Sequence, residues 1–391
     1  MELNPGYTQT ELGLIPEDWE VKTLGEFISL RRGHDLTERD RKLGEVPVMG
    51  SAGQNGFHDT ALAKAPGVVL GRSGASFGQA HLCAVDFWPH NTALFVTDFH
   101  GNNPWFVFYF LRSIDFSRYN SGGAQQSLNR NFIAPIPVAV PPTKAEQEAI
   151  AEALSDADAL IESLEQLIGK KQQIKEGAMQ ELLTGKTRLP GATREWQLSR
   201  FEEFGDFSKG RGLPKDKLSG EGTLPAIPYT AIYTDFNEVI DHARIAQFTN
   251  SPRATMVIDG PHLLFASSSN MVENVGKVTA FVGGSDVAIG GDIILYKTVA
   301  SVRFLSYLMS TRHQRRKTVA LSQGSTIRHI YSSTLAKYEI ALPSLDEQNA
   351  ISAILGDIDA EIGAIEGKLA KARQIKEGMM QELLTGKTRL I

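Results

Sequence analysis

Side chains able to read nucleic acid are gathered in the Gly-rich and polar loops of this 391-residue chain. Arg31, Arg32, Arg72 and Arg130 in the first half, with Lys209, Arg211 and Arg328 in the second, are cations in turns. A guanidinium placed there can reach a phosphate or the O6/N7 edge of guanine. Gln54, Asn55, Gln125, Gln126, Asn129, Ser268, Asn270, Gln323, Ser325 and Thr326 are the amide and hydroxyl types that pair with base edges. For any one of them the competing reading is a turn residue satisfying backbone groups. RHQRRK, from Arg312 to Lys317, reads as the solvated face of a helix.

Motifs that would make the chain a catalyst are incomplete. Gly185-Lys186-Thr187 resembles the end of a phosphate loop, but Gln180 stands where the first glycine belongs and the motif closes a helix instead of opening one. Asn102-Asn103-Pro104-Trp105 lacks the second proline of an amino-methyltransferase tetrad and reads as a helix N-terminus. His34, His58, His81, His90 and His100 are scattered without metal-ligand spacing. Gly71-Arg72-Ser73-Gly74 lacks the surroundings of a serine nucleophile elbow. The residues therefore point to binding without catalysis or a cofactor site in this chain. Two other classes compete: a self-contained methyltransferase or nuclease, and a coiled-coil adaptor that binds only proteins.

With 42% hydrophobic and 22% charged residues, the chain has the composition of an ordinary globular protein of two or more domains. It contains no run of apolar residues long enough to span a membrane, and its N-terminus lacks the basic-then-apolar pattern of a signal peptide. A single cysteine, Cys83, excludes an internal disulfide and a thiolate metal site, which suits the cytoplasm. Net charge is −5, with acidic helical segments and a basic second domain, so phosphate binding must be local.

The elements that must position these residues are set by a repeat. KKQQIKEGAMQELLTGKTRL (Lys170 to Leu189) returns as KARQIKEGMMQELLTGKTRL (Lys371 to Leu390). The period of about 200 residues suits two whole domains, each followed by a helix. Thr143 with Glu146, and Ser344 with Glu347, each form a capping-box pattern that predicts a helix start. Ile150, Leu154, Ala157, Ile161, Leu164 and Ile168 then alternate steps of four and three, as do Ile351, Leu355, Ile358, Ile362, Ile365 and Leu369. That is a heptad seam, and about 40 residues of it make a rod of roughly 60 Å. Each stripe could pack only on its own domain, but two seams of matched phase are natural partners. The domain between them makes an antiparallel pair the simplest closed arrangement, with one domain near each end.

The expected fold is α+β: two similar domains of mixed helix and curved sheet at 1–142 and 190–343, helical rods at 143–189 and 344–391, and a pseudo-two-fold tandem repeat. Strands are predicted at Pro47–Met49, Gly67–Leu70, Ala93–Val96, Ala226–Tyr229, His262–Phe265 and Asp292–Tyr296, and helices at Trp105–Ser113 and Val302–Val319. SAGQNGFHD (Ser51 to Asp59) and GRSGASFG (Gly71 to Gly78) read as loops. Each domain approaches its rod through a polar loop. Gln125, Gln126, Asn129 and Arg130 occupy the place in one that Gln323, Ser325, Thr326 and Arg328 occupy in the other.

Together these features resemble the DNA-specificity subunit of type I restriction-modification systems. The resemblance rests on GLIPEDW near the N-terminus, Glu146-Gln147 and Glu347-Gln348 after a proline, QIKEG, QELLTGKTRL and the duplicated rod, and it covers nearly the whole chain. It implies two target-recognition domains on an antiparallel coiled coil, each reading one half of a split double-stranded DNA sequence. It also implies two docked modification subunits that form a methyltransferase, and two restriction subunits that can join to give an ATP-dependent endonuclease. S-adenosylmethionine, ATP and magnesium would then sit on those partners. The acidic first domain departs from what a DNA-binding half would suggest.

Overall fold

The computed structural model describes residues 6–122, 126–240, 242–250 and 255–390. They form two compact units, Met1–Gln166 with Glu366–Ile391, and Leu167–Ile365. The tail of each repeat is therefore folded into the unit that holds the other repeat's globular part.

In the first unit an antiparallel four-stranded sheet runs in the order Ser29–Arg32, Ala93–Asp98, Gly67–Gly71, Ala80–Cys83. Its central strands read as continuous apolar runs because both faces are covered. Val68, Leu70, Leu94 and Val96 join the main core, whereas Val69, Ala93 and Phe95 join a smaller cluster with Met49 and Phe87. The helix Pro104–Ser113 packs on the main-core side, capped by Asn103, whose Oδ1 accepts from the Trp105 and Phe106 amides at 2.9 and 3.1 Å. The stretch read as a loop at 51–59 is instead a strand, Gly53–His58, paired back on Val46–Gly50.

The second unit repeats the plan. Its sheet runs Gly205–Lys209, Ile293–Thr298, His262–Ala266, Val278–Phe281, in the same topological order. Again the alternation divides two cores: Leu263, Phe265, Ile294 and Tyr296 face one, and Leu264, Ala266, Ile293 and Leu295 the other. The helix expected to run unbroken over 302–319 is two, Val302–Ser310 and Arg312–Ala320. Thr311 leaves helical geometry at φ −60, ψ 146, and its side chain caps the next helix.

The two long helices, Lys144–Leu182 and Leu345–Leu383, are each 39 residues, or roughly 58 Å. Within each unit their segments run antiparallel. In the first unit Asp158 meets Lys376, Glu165 meets Arg373, and Glu146 meets Arg389. In the second, Lys171 meets Glu361, Lys175 lies 2.7 Å from Asp359, and Arg188 lies 2.8 Å from Glu347. Ile150 and Leu154 enter the first unit's core, and Ile351 and Leu355 the second's. Those upper seam positions thus belong to the globular cores as well as to the helix pairing. Ile362 and Ile365 are also buried, while Ala157, Ile161, Leu164, Ile168, Ile358 and Leu369 are half-buried.

The repeated motifs acquire matching tasks. Only half of each expected capping box forms: Thr143 and Ser344 accept from the Glu146 and Glu347 amides. The carboxylates do not turn back, because an arginine from the tail of the other repeat takes them. The next residue braces the domain helix: Gln147 accepts from the Asn103 amide at 2.8 Å, and Gln348 from the Ser301 amide at 2.9 Å. At the helix ends Gly386 and Gly185 hold φ +72 and +70. A Cβ on Gly386 would stand 2.6 Å from the Pro16 ring, whereas one on Gly185 would meet nothing nearer than Trp196 at 3.3 Å. Gly386→Ala should therefore cost more than the roughly 1–2 kcal/mol of left-handed strain alone, and Gly185→Ala about that much, as read by urea unfolding. Equal costs would show that Pro16 does not restrict the site.

Candidate nucleic-acid interface

In the first unit, two strands end side by side. Arg32 lies opposite Leu94 and Gly71 opposite Ala93, so Arg32 and Arg72 emerge at one end of the sheet. The polar loop is tied to that end: the Leu128 amide donates to the Arg72 carbonyl at 2.8 Å, and Ser73 bridges to Ser127. Ser51 Oγ donates to the Ser73 carbonyl at 2.6 Å, which brings in a further loop. Gln126 is exposed there. Asn129 is exposed but spends its Oδ1 locally, accepting from the Asn131 amide at 3.0 Å to cap the short helix Arg130–Ile133. Arg130 itself is exposed, and with Arg31 it lines a cleft of about 340 Å³. Arg32 lies 3.4 Å from Asp35. Arg41 donates to the Asn55 backbone carbonyl at 2.6 Å and to its side-chain Oδ1 at 2.5 Å, while Gln54 lines a separate cleft with Trp105, Arg112 and Asp158. Gln125 lies outside the described residues.

The second unit presents the same end of the equivalent sheet. Lys209 lies opposite Ile294 and Ala266 opposite Ile293, so Lys209 and Arg211 leave on one side of that strand and Ser268–Asn270 on the other. The polar loop pairs directly with the latter, Ser268 opposite His329 and Ser269 opposite Arg328, and Gln323 exchanges backbone hydrogen bonds with His329 at 2.8 and 2.7 Å. Lys209, Arg211, Asn270, Gln323, Ser325 and Thr326 are exposed.

In the second unit three further side chains have tasks other than those their types suggested. Ser268 is 6% exposed, so its hydroxyl is not offered to a base. Arg328 spends its guanidinium on its own loop, donating from Nε to Ser322 Oγ and from Nη2 to the Ser322 carbonyl, both at 2.7 Å. Arg315, placed on a solvated face by sequence, is half-buried and donates to the carbonyls of Glu273 at 2.6 Å and Val275 at 3.0 Å. Burial holds its pKa below the ordinary guanidinium value. Thr318, three residues on and on the same helical face, is buried. Polar type does not mark Met271, Val272, Ile327 and Tyr331, all large, apolar or aromatic, and exposed on these loops.

The family described as the type I restriction modification DNA specificity domain matches residues 16–176 and again 193–374. The chain belongs to that family and carries its domain twice. It is similar along its length to the putative type I restriction enzyme MjaX specificity subunit of Methanocaldococcus jannaschii, 23% identical over 98% of this chain and 97% of the relative. The MjaVIII specificity subunit of the same organism is 21% identical, over 96% and 94% of the two chains. The crystal structure of a type I restriction-modification S subunit from M. genitalium shares the fold, with a TM-score of 0.67, 15% identity and 98% of both chains covered. No helix among the described residues is long and apolar enough to cross a membrane.

Proposed function

We propose that each unit of this type I specificity subunit reads one half of a bipartite double-stranded DNA target, while the long helices fix the spacer and dock modification subunits. The observation that carries this reading is the placement of two sets of exposed polar and cationic side chains at the same end of two equivalent sheets. Each set is tied down by its own polar loop, which gives the preorganisation that base reading requires. Two modification subunits would supply adenine methylation with S-adenosylmethionine, and two restriction subunits would supply cleavage with ATP and magnesium, in the cytoplasm. This chain would contribute sequence reading, and chemistry would belong to the partners.

Charge determines how the parts share affinity. At net charge −5 the chain repels the duplex at long range, so most phosphate neutralisation must come from partner subunits. The isolated chain should bind DNA weakly at physiological salt and become sequence-specific when modification subunits are added, as followed by fluorescence anisotropy on target and scrambled duplexes. Tight, specific binding by the chain alone would contradict this division of labour.

A further inference from the structure

We propose that the second unit recognises A·T pairs in its half-site through thymine methyl groups, using the apolar loop tips Met271, Val272 and Ile327. The proposal rests on the DNA-reading function above and names the chemistry of one half.

These side chains are 51%, 46% and 51% exposed, in loops whose other exposed residues are amides, hydroxyls and charges. A single exposed apolar residue is ordinary; three on two loops joined by one strand pair are not. Ser269 pairs with Arg328, which sets Asn270 and Met271 beside Ile327 on the facing loop. The first tip is held rigid. Ser269 Oγ accepts from the Met271 amide at 3.0 Å, the Asn274 amide donates to the Met271 carbonyl at 3.0 Å, and Arg315 clamps the carbonyls of Glu273 and Val275. Such a tip presents apolar surface without first paying to order it.

The surroundings select the occupant. In the major groove an A·T pair offers the thymine C5-methyl beside the adenine N6/N7 edge, and Asn270, Gln323 and Thr326 are side chains of the types that pair with base edges. The exposed Glu273 carboxylate beside the tip would be repelled by phosphates, which favours base edges over the backbone. Arg312, Arg316 and Lys317 are exposed on the helix that carries Arg315 and can neutralise flanking phosphates. The first unit's corresponding loop exposes Gly74, Ala75 and Gln79 and no large apolar side chain, so methyl readout by this loop belongs to one half-site.

The test uses the full chain assembled with its modification subunits and the target it methylates. Replacing thymines by deoxyuridine in one half-site at a time removes only the methyl groups. Affinity should fall about fourfold per contacted thymine, the loss expected for one methylene-sized group, in one half-site and not in the other. A complex carrying Met271→Ala and Ile327→Ala should bind the thymine duplex about as the unaltered complex binds the uridine duplex, with no further loss on uridine. Indifference to uridine in both halves, or a second-unit half-site without A·T pairs, would overturn the proposal while bipartite methylation left the DNA-reading function standing. Failure of the variant to bind modification subunits would assign the tips to protein contact and overturn it as well. Methylation without sequence preference would overturn the proposal and the function together.

Discussion

Replacing Arg389 by alanine is expected to destabilise the first unit by about 3 kcal/mol, the cost of stranding one member of a buried ion pair. Glu146 is 2% exposed, and Arg389 donates to it from Nε and, at 2.8 Å, from Nη2. The same guanidinium donates to Asp18 at 2.7 and 2.9 Å, which ties the N-terminal IPEDW segment to the end of the chain. Hydrogen bonds to both carboxylates raise the arginine's pKa further, so it stays charged at any working pH. Glu146→Leu combined with Arg389→Met should recover much of the loss, because the penalty lies in the unpaired charge. Asp18 adds a pH signature. Its hydrogen bond from Arg389 holds its carboxyl below the ordinary range. The stabilisation is therefore present above the unfolded carboxyl pKa and lost as pH falls through the folded one. Urea titrations between neutral and acid pH should show that component in the unaltered chain and not in Arg389→Ala. A variant that unfolds at the same urea concentration would mean the pair contributes no net stability.

The second large effect concerns the loops proposed to read DNA. Arg130→Ala should reduce discrimination roughly tenfold or more in one half of the target and leave the other unchanged, the range expected for losing one bidentate base contact. Arg130 is exposed beside Arg31, and the described structure gives it no internal partner that the substitution would disturb. Arg328→Ala should behave differently although the two arginines sit at matching places in the sequence. Its guanidinium holds Ser322, so its loss should loosen the second unit's loop and weaken its half-site as a whole. Methylation rates on duplexes altered in one half at a time separate these outcomes. Equal loss at both halves for Arg130→Ala would make it a phosphate contact or a structural residue.

The parts legible in sequence were those governed by local period. The long helices follow from their heptad spacing and repeated tail, and strands such as Gly67–Gly71 and His262–Ala266 follow from apolar runs that both faces bury. What escaped depends on partners distant in the chain. Glu146 looked like half of a capping box, but the arginine that takes its carboxylate comes from the far end of the chain. Arg315 and Arg328 looked like free cations, because no local pattern shows which carbonyls a guanidinium will find. The break at Thr311 was hidden by a helical pattern that continues on both sides of it. The usual base-reading types are polar, and an apolar residue in sequence reads as core, so the tips at Met271 and Ile327 are distinguished only by their exposure in the fold.

The most direct measurement is a map of the bases methylated when DNA is exposed to this chain assembled with its modification subunits and S-adenosylmethionine. Two recognition units with equivalent presenting ends predict one motif made of two specified halves separated by a fixed number of unspecified base pairs, with a methylated adenine in each half. A single continuous motif, or methylation without sequence preference, would contradict the assignment of one half-site to each unit.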